Sequence, residues 1–140
     1  MDDALKLARE FEHAMCRFRR MDYSALHPGE FAVLEMIHKL SAQDDAIYGA
    51  AISDLQKKME ILPSAISRLL RGMEEKGLCV RRIDPKDRRS SYVSLTEAGQ
   101  ERRDQGHCIM EVFAQRVVER MGEGRFRELI EQWERFGDVL

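Results

Sequence analysis

The sequence is poor in most features that mark secreted, metal-binding or membrane proteins. Its three cysteines, Cys16, Cys79 and Cys108, are odd in number and widely spaced. That excludes a disulfide framework and a CxxC zinc pair, and it fits a reducing cytoplasm. No apolar run approaches the roughly 18 residues of a membrane span. The opening MDDALKLARE is acidic and has no apolar h-region, so neither a signal peptide nor a membrane partner is expected. The four histidines (His13, His27, His38, His107) lack metal spacing. His13 and Cys16 stand at i, i+3 without the two further ligands that zinc needs. There is no Gly-rich phosphate loop, no Ser, His and Asp set, and no paired carboxylates in an apolar setting. No catalytic residue, metal or cofactor is therefore expected, and the chain does not read as an enzyme. A strong charge excess is also missing. The net charge of −2 argues against a wholly basic nucleic-acid binder.

What is present is a folded, heavily charged chain. Its 140 residues are 44% hydrophobic and 34% charged, enough for one domain with a core. The charge is unevenly placed. Between Ser64 and Tyr92 stand eight basic residues (Arg68, Arg71, Lys76, Arg81, Arg82, Lys86, Arg88, Arg89) against four acidic ones, so this window is basic and the remainder acidic. A basic patch on an acidic body steers a polyanion while keeping the protein dispersed.

Periodicity gives the elements. Leu5, Ala8, Phe11, Met15 and Phe18 mark an amphipathic helix over 4–20. Pro28 opens a second helix with Glu30 in its first turn and Phe31, Leu34, Ile37 and His38 at helical spacing. AQDDAIYGA reads as a loop with a very short strand at Ile47–Tyr48. AISDLQKKM is a short helix with Ile52, Leu55 and Met59 on one face. After EIL comes PSAISRLLRGMEEKG, with Pro63 in its first turn, a buried stripe of Ile66, Leu69, Leu70 and Met73, and Gly77 as a left-handed stop. Two helices joined by three residues form a helix-turn-helix pattern. LCVRRI and SYVSLT then flank DPKDRRS as a hairpin with a type I turn at Asp84-Pro85. Thr96 is placed to cap a long helix from about Glu97 to Met121. GEG breaks it, and a last helix carries Phe126, Leu129, Ile130, Trp133, Phe136 and Leu140.

The helix from Pro63 exposes Ser64, Ala65, Ser67, Arg68 and Arg71 opposite its buried stripe. Small residues there allow close approach to DNA, and the arginines reach phosphates or guanine edges. An ordinary solvated helix face would have the same period. The hairpin shifts the balance, because a helix-turn-helix followed by a basic-tipped hairpin is a winged helix. Its tip, Lys86, Arg88 and Arg89, can cross the backbone and enter the minor groove. Asp84 starts the turn, and Asp87 is expected to hold it by turn hydrogen bonds and an arginine ion pair.

The segment ISDLQKKMEILPSAISRLLRGMEEKGLCVRRIDPKDRRSSYVSLTEAG resembles the winged helix of the MarR family of bacterial transcription regulators. The likeness rests on SAISRLLRGMEEKGL, on the wing signature DPKDRR, and on VSLTEAG leading into a long helix. It implies a mainly α fold with a small β-hairpin wing, in one domain. The winged helix spans about 29–96, between dimerisation helices at about 3–21 and 97–140. It also implies a homodimer on a palindromic double-stranded DNA operator, usually as a repressor. Ser64, Ser67 and Arg68 fall on the recognition helix, and Asp87, Arg88 and Arg89 on the wing. One wing arginine enters the minor groove and the other pairs with Asp87; the sequence leaves open which does which. The chain departs from the family pattern at Leu62 and Pro63, where a polar residue is common. Relief of binding by a small-molecule effector is implied, at a pocket near His27 and Phe31. The apolar stripe of the last helix independently asks for a partner chain.

Two other readings stay open. Cys16, in HAMCRFRR, would be a peroxide-sensing thiol if Arg17, Arg19 and Arg20 favour a thiolate. A buried structural cysteine is the simpler reading of Cys16, and Cys79 and Cys108 look like core or surface fillers. The third reading is a winged helix that binds protein without DNA.

Overall fold

The computed structural model describes residues 2–19 and 27–139, without the side chains of Asp2, Phe18, Arg19 and Pro28. Arg20 beside Cys16, the Phe18 and Arg19 side chains, and Leu140 at the end of the last stripe therefore lie outside the described residues.

Among the described residues, six helices and one small sheet follow in chain order: α1 (Asp2–Arg19), α2 (Pro28–Ser41), β1 (Ala50–Ala51), α3 (Ile52–Met59), α4 (Pro63–Glu75), β2 (Cys79–Ile83), β3 (Ser91–Leu95), α5 (Glu97–Met121) and α6 (Glu123–Val139). The helix-turn-helix is α3 and α4, joined by residues 60–62. The sheet is antiparallel with order β1-β3-β2. β2 and β3 form the hairpin, in register from Cys79 opposite Leu95 to Ile83 opposite Ser91. The short first strand lies at Ala50–Ala51 and not at Ile47–Tyr48, because it is Ala50 and Ala51 that pair with Val93 and Tyr92.

The core sits under the winged helix. Val33, Leu34, Ile37 and Leu40 from α2 meet Leu55 of α3, Ile66, Leu70 and Met73 of α4, and Leu78, Cys79 and Val93 of the hairpin. The inward face of α2 is rotated from the one expected. Val33 and Leu40 are buried, Phe31 is half-buried and His38 is exposed. The short spacing of Phe31, Leu34, Ile37 and His38 does not separate these two overlapping stripes.

Each boundary has a local cause. The carbonyl of Leu62 accepts from the amides of Ala65 and Ile66 and opens α4, where no side chain caps the helix. Gly77, at φ 73°, turns the chain out of α4 in a left-handed conformation that costs glycine little. Thr96 caps α5 as expected: its Oγ1 accepts from the Gly99 amide at 3.0 Å and donates to the Gly77 carbonyl at 2.6 Å. Gly99 is required there, because a Cβ would run into the Leu78 carbonyl oxygen. Gly122 alone separates α5 from α6, since Glu123 and Gly124 are already helical.

α1 and α6 lie outside this core. Phe11 and Phe136 meet with ring centroids 5.7 Å apart, and Trp133 stands 6.0 Å from Phe136. No residue of α6 is buried. Leu5, Leu7 and Phe11 on α1, with Leu129, Ile130, Trp133, Phe136 and Val139 on α6, remain exposed.

Candidate nucleic-acid interface

α4 divides its surface as its period demands. Ile66, Leu70 and Met73 are fully buried, whereas Ser64, Arg68 and Arg71, at i, i+4 and i+7, share the solvent face. Ala65 and Ser67 are half-buried at the edge of that face. The helix is fastened to the hairpin by Arg81. Its Nε lies 3.1 Å from Glu74 Oε1, and its guanidinium donates to the Ser67 carbonyl at 3.4 Å. Arg81 thus adds a polar tie between the wing root and α4, beside the packing of Leu78 and Cys79 on Leu70 and Met73.

The wing tip is built by aspartates acting on backbone. Asp84 Oδ1 accepts from the Lys86 amide at 2.9 Å, and Asp87 Oδ1 accepts from the Arg89 amide at 3.0 Å. Asp87 Oδ2 takes the Ser90 hydroxyl at 3.1 Å. The Asp84 amide donates across the loop to the Ser90 carbonyl at 3.0 Å. The expected turn hydrogen bonds of Asp87 are present. The expected ion pair is not: among the described residues, neither Arg88 nor Arg89 has a carboxylate within ion-pair distance. Both oxygens of Asp87 are engaged by the turn itself, which leaves both guanidinium groups exposed.

The basic window is thereby sorted. Lys76 and Arg81 serve the fold, Lys76 through a 2.6 Å ion pair with Glu30 and Arg81 through Glu74. Arg68, Arg71, Arg82, Lys86, Arg88 and Arg89 are exposed, with no acidic partner among the described residues. Between the start of α3 and the wing base lies a cleft of about 420 Å³, bordered by Ser53, Gln56, Arg89 and Tyr92. α3 begins there after Ala51, which supplies no side-chain cap. Sequence reading missed this cleft, since Ser53 and Gln56 stand out only once the wing is folded beside them.

Sequence reading also missed Glu30, taken only as a favourable first-turn charge. It is buried between Lys76 Nζ, at 2.6 Å, and Arg102 Nε, at 3.2 Å, and so joins the end of α4 to α5. Burial opposes its ionisation, but hydrogen bonds from Lys76 and Arg102 outweigh that and hold its carboxyl below the ordinary value. A second link joins α2 to α5: Arg103 Nε stands 2.7 Å from Glu35 Oε1, an ion pair too bent for a hydrogen bond.

His27 and Phe31 do lie where α2 meets α5. His27 Nδ1 accepts from the Glu30 amide at 3.2 Å and caps α2. Phe31 meets His107 edge-on at 5.4 Å. The cavity they border with Glu30, Arg102 and Gln105 holds about 10 Å³, room for one water molecule.

Cys16 is exposed on α1 and is not a buried structural cysteine, because α1 lies outside the core. Cys79 is buried; its thiol faces the Leu70 carbonyl at 3.9 Å, and burial pushes it up to about 11. Cys108 is exposed on α5. No described helix is long and apolar enough to cross a membrane.

The MarR family model matches residues 26–91, which take in α2 to the start of β3. Over these residues the chain is similar to the MarR family. YdgJ, an uncharacterized HTH-type transcriptional regulator of Bacillus subtilis, is 37% identical over 79 residues, 56% of this chain and 48% of the relative. The chain spans about half the length of the curated relatives it matches. Among solved structures, the Staphylococcus aureus MepR–DNA complex superposes with TM-score 0.69 at 20% identity, over 96% of each chain. PcaV of Streptomyces coelicolor with its natural ligand gives TM-score 0.69 at 19% identity, over 94% of this chain and 89% of that one. At such identities the structural likeness establishes the fold alone, a winged helix among flanking helices.

Proposed function

We propose that the protein is a cytoplasmic homodimer that binds a palindromic site on duplex DNA and regulates transcription, as a repressor and not as an enzyme. The observation that carries this reading is the sorting of the basic residues. Lys76 and Arg81 are held by carboxylates within the fold, while Arg68 and Arg71 on one helix face and Lys86, Arg88 and Arg89 on the adjoining tip have none. Free cations grouped on a recognition helix and its wing are what a phosphate backbone recruits. The cleft beside Ser53 and Arg89 adds space for a backbone phosphate next to uncapped helix amides.

The dimer reading rests on the exposed apolar sides of α1 and α6. A patch bearing Phe11, Leu129, Ile130, Trp133 and Phe136 fits a second copy, because a two-fold axis buries the same patch on both chains. Truncation after Met121 tests it. Sedimentation should report a dimer for the full chain and aggregation or loss of the dimer after the cut. A soluble, folded dimer without α6 would reject this interface.

The DNA reading is tested by selecting duplexes with the purified protein and titrating the product by anisotropy at several salt concentrations. The selected site should be symmetric, with half-sites about 10 base pairs apart. Absence of any salt-sensitive duplex binding would favour a protein-interaction module instead. Relief by a small ligand is drawn from PcaV, whose structure holds its natural ligand. The cavity at His27 and Phe31 must widen before it admits anything larger than water.

A further inference from the structure

At the turn between α3 and α4 the chain does something the core does not explain. Ile61 turns inward and packs against the core, while Leu62, next to it, leaves 72% of its surface in solvent. Leu62 is the N-cap residue of α4, so its side chain stands at the leading end of the recognition helix, beside exposed Ser64. Its backbone is fixed there, with its carbonyl taking two amides at 2.9 and 3.1 Å. The polar inventory of this end is small. Pro63 has no amide hydrogen, Leu62 has no side-chain acceptor, and no cap hydrogen bond forms. In a helix-turn-helix the N-terminal residues of the second helix meet base edges in the major groove. The thymine C5-methyl is the one apolar group on those edges.

We infer that Leu62 is a specificity-determining residue that reads a thymine methyl group in the major groove. The inference rests on the DNA-binding reading above and adds to it the chemistry recognised. A large apolar side chain carried on a fixed backbone at the leading end of α4 gains by covering a methyl and gains nothing over cytosine, which presents an amine nearby and a bare C5.

The test uses the full-length protein and the duplex it selects. Thymines are replaced one symmetric pair at a time by uracil, which keeps every hydrogen-bonding atom and removes only the methyl. At one pair, wild-type affinity should fall by about four-fold per half-site, or roughly fifteen-fold for two, the equivalent of one buried methyl each. Leu62→Ala should lose that dependence at the same pair, keep the thymine-to-uracil response elsewhere, and bind random duplex with unchanged salt slope. The last readout separates loss of methyl contact from a disturbed helix. Specific wild-type binding that is indifferent to uracil at every position would overturn the inference and leave the DNA-binding reading standing. So would Leu62→Ala retaining the full uracil penalty. Failure to bind any duplex would overturn both.

Discussion

Replacing Glu30 with Gln keeps the side chain's shape and removes its charge. The carboxylate is buried, with 6% of its side chain exposed, and accepts from Lys76 Nζ and Arg102 Nε. A hydrogen bond to a charged group contributes about 1.5–3 kcal/mol. The two cations are 57% and 38% exposed, so each regains water once the carboxylate is neutral. Solvent screening and the burial cost of the charge bring the expected loss down to about 2 kcal/mol at neutral pH. The pH dependence follows from direction alone. Glu30's folded value lies below its ordinary 4.5, so its stabilisation is fully present above that ordinary value and lost as pH falls through the lowered folded one. Urea melts of wild type and Glu30→Gln, at one fixed protomer concentration, measure the difference. The gap should be widest at pH 7 and close progressively below pH 4. An equal gap at pH 7 and pH 3 would mean that Glu30 acts by shape, and a more stable variant would mean that the burial cost exceeds both ion pairs.

Arg88→Ala should flatten the slope of log affinity against log salt by roughly two units for a dimer, about 0.9 per lost phosphate contact, on operator and random DNA alike; an unchanged slope would remove Arg88 from the contact surface. Arg68→Ala should instead cost about 1–3 kcal/mol per base contact and relax preference at one symmetric pair of positions in a repeated selection. Asp87→Ala removes a negative charge yet should weaken DNA binding, because the Arg89 amide and Ser90 hydroxyl lose their acceptor; tighter binding at all salt concentrations would make Asp87 a repulsive surface charge. Gly99→Ala should destabilise the fold by more than about 2 kcal/mol in chemical denaturation, since a Cβ cannot share space with the Leu78 carbonyl; a neutral effect would show that α5 can shift away from the hairpin.

Local signals carried most of the fold. Pro63, the Ile66–Leu70–Met73 period, Gly77 and Thr96 each act within a few residues of themselves, and all are found in the role their chemistry suggests. The hairpin was legible for the same reason. Long-range partners were not. Glu30 meets Lys76 and Arg102 only because α2, α4 and α5 converge, and no spacing in the sequence encodes that meeting. The inward face of α2 differs from the expected one because Phe31 and Val33 lie on overlapping stripes: Val33 packs into the cluster with α3, α4 and the hairpin, while Phe31 meets His107 of α5. Cys16 misled in the opposite sense: an amphipathic helix suggests burial, but among the described residues the buried hydrophobic cluster lies within the winged helix. Of the candidate site, the identities of the exposed cations were readable, whereas their lack of carboxylate partners required the fold.

The latch at Thr96 has a consequence for how such a protein can diverge. Its hydroxyl ties Gly77, before the hairpin, to Gly99, after it, and the five paired positions of β2 and β3 hold the register above that tie. Residues 84–90 are closed on themselves by the Asp84–Ser90 backbone hydrogen bond. Lengthening a loop whose ends are already fixed costs only about 0.6 kcal/mol per doubling. Insertions that spare the Asp84 and Asp87 turn hydrogen bonds therefore add little to the cost of closing this loop. A descendant of this sequence can change how far its tip arginines project by loop length alone, with its core and α4 untouched.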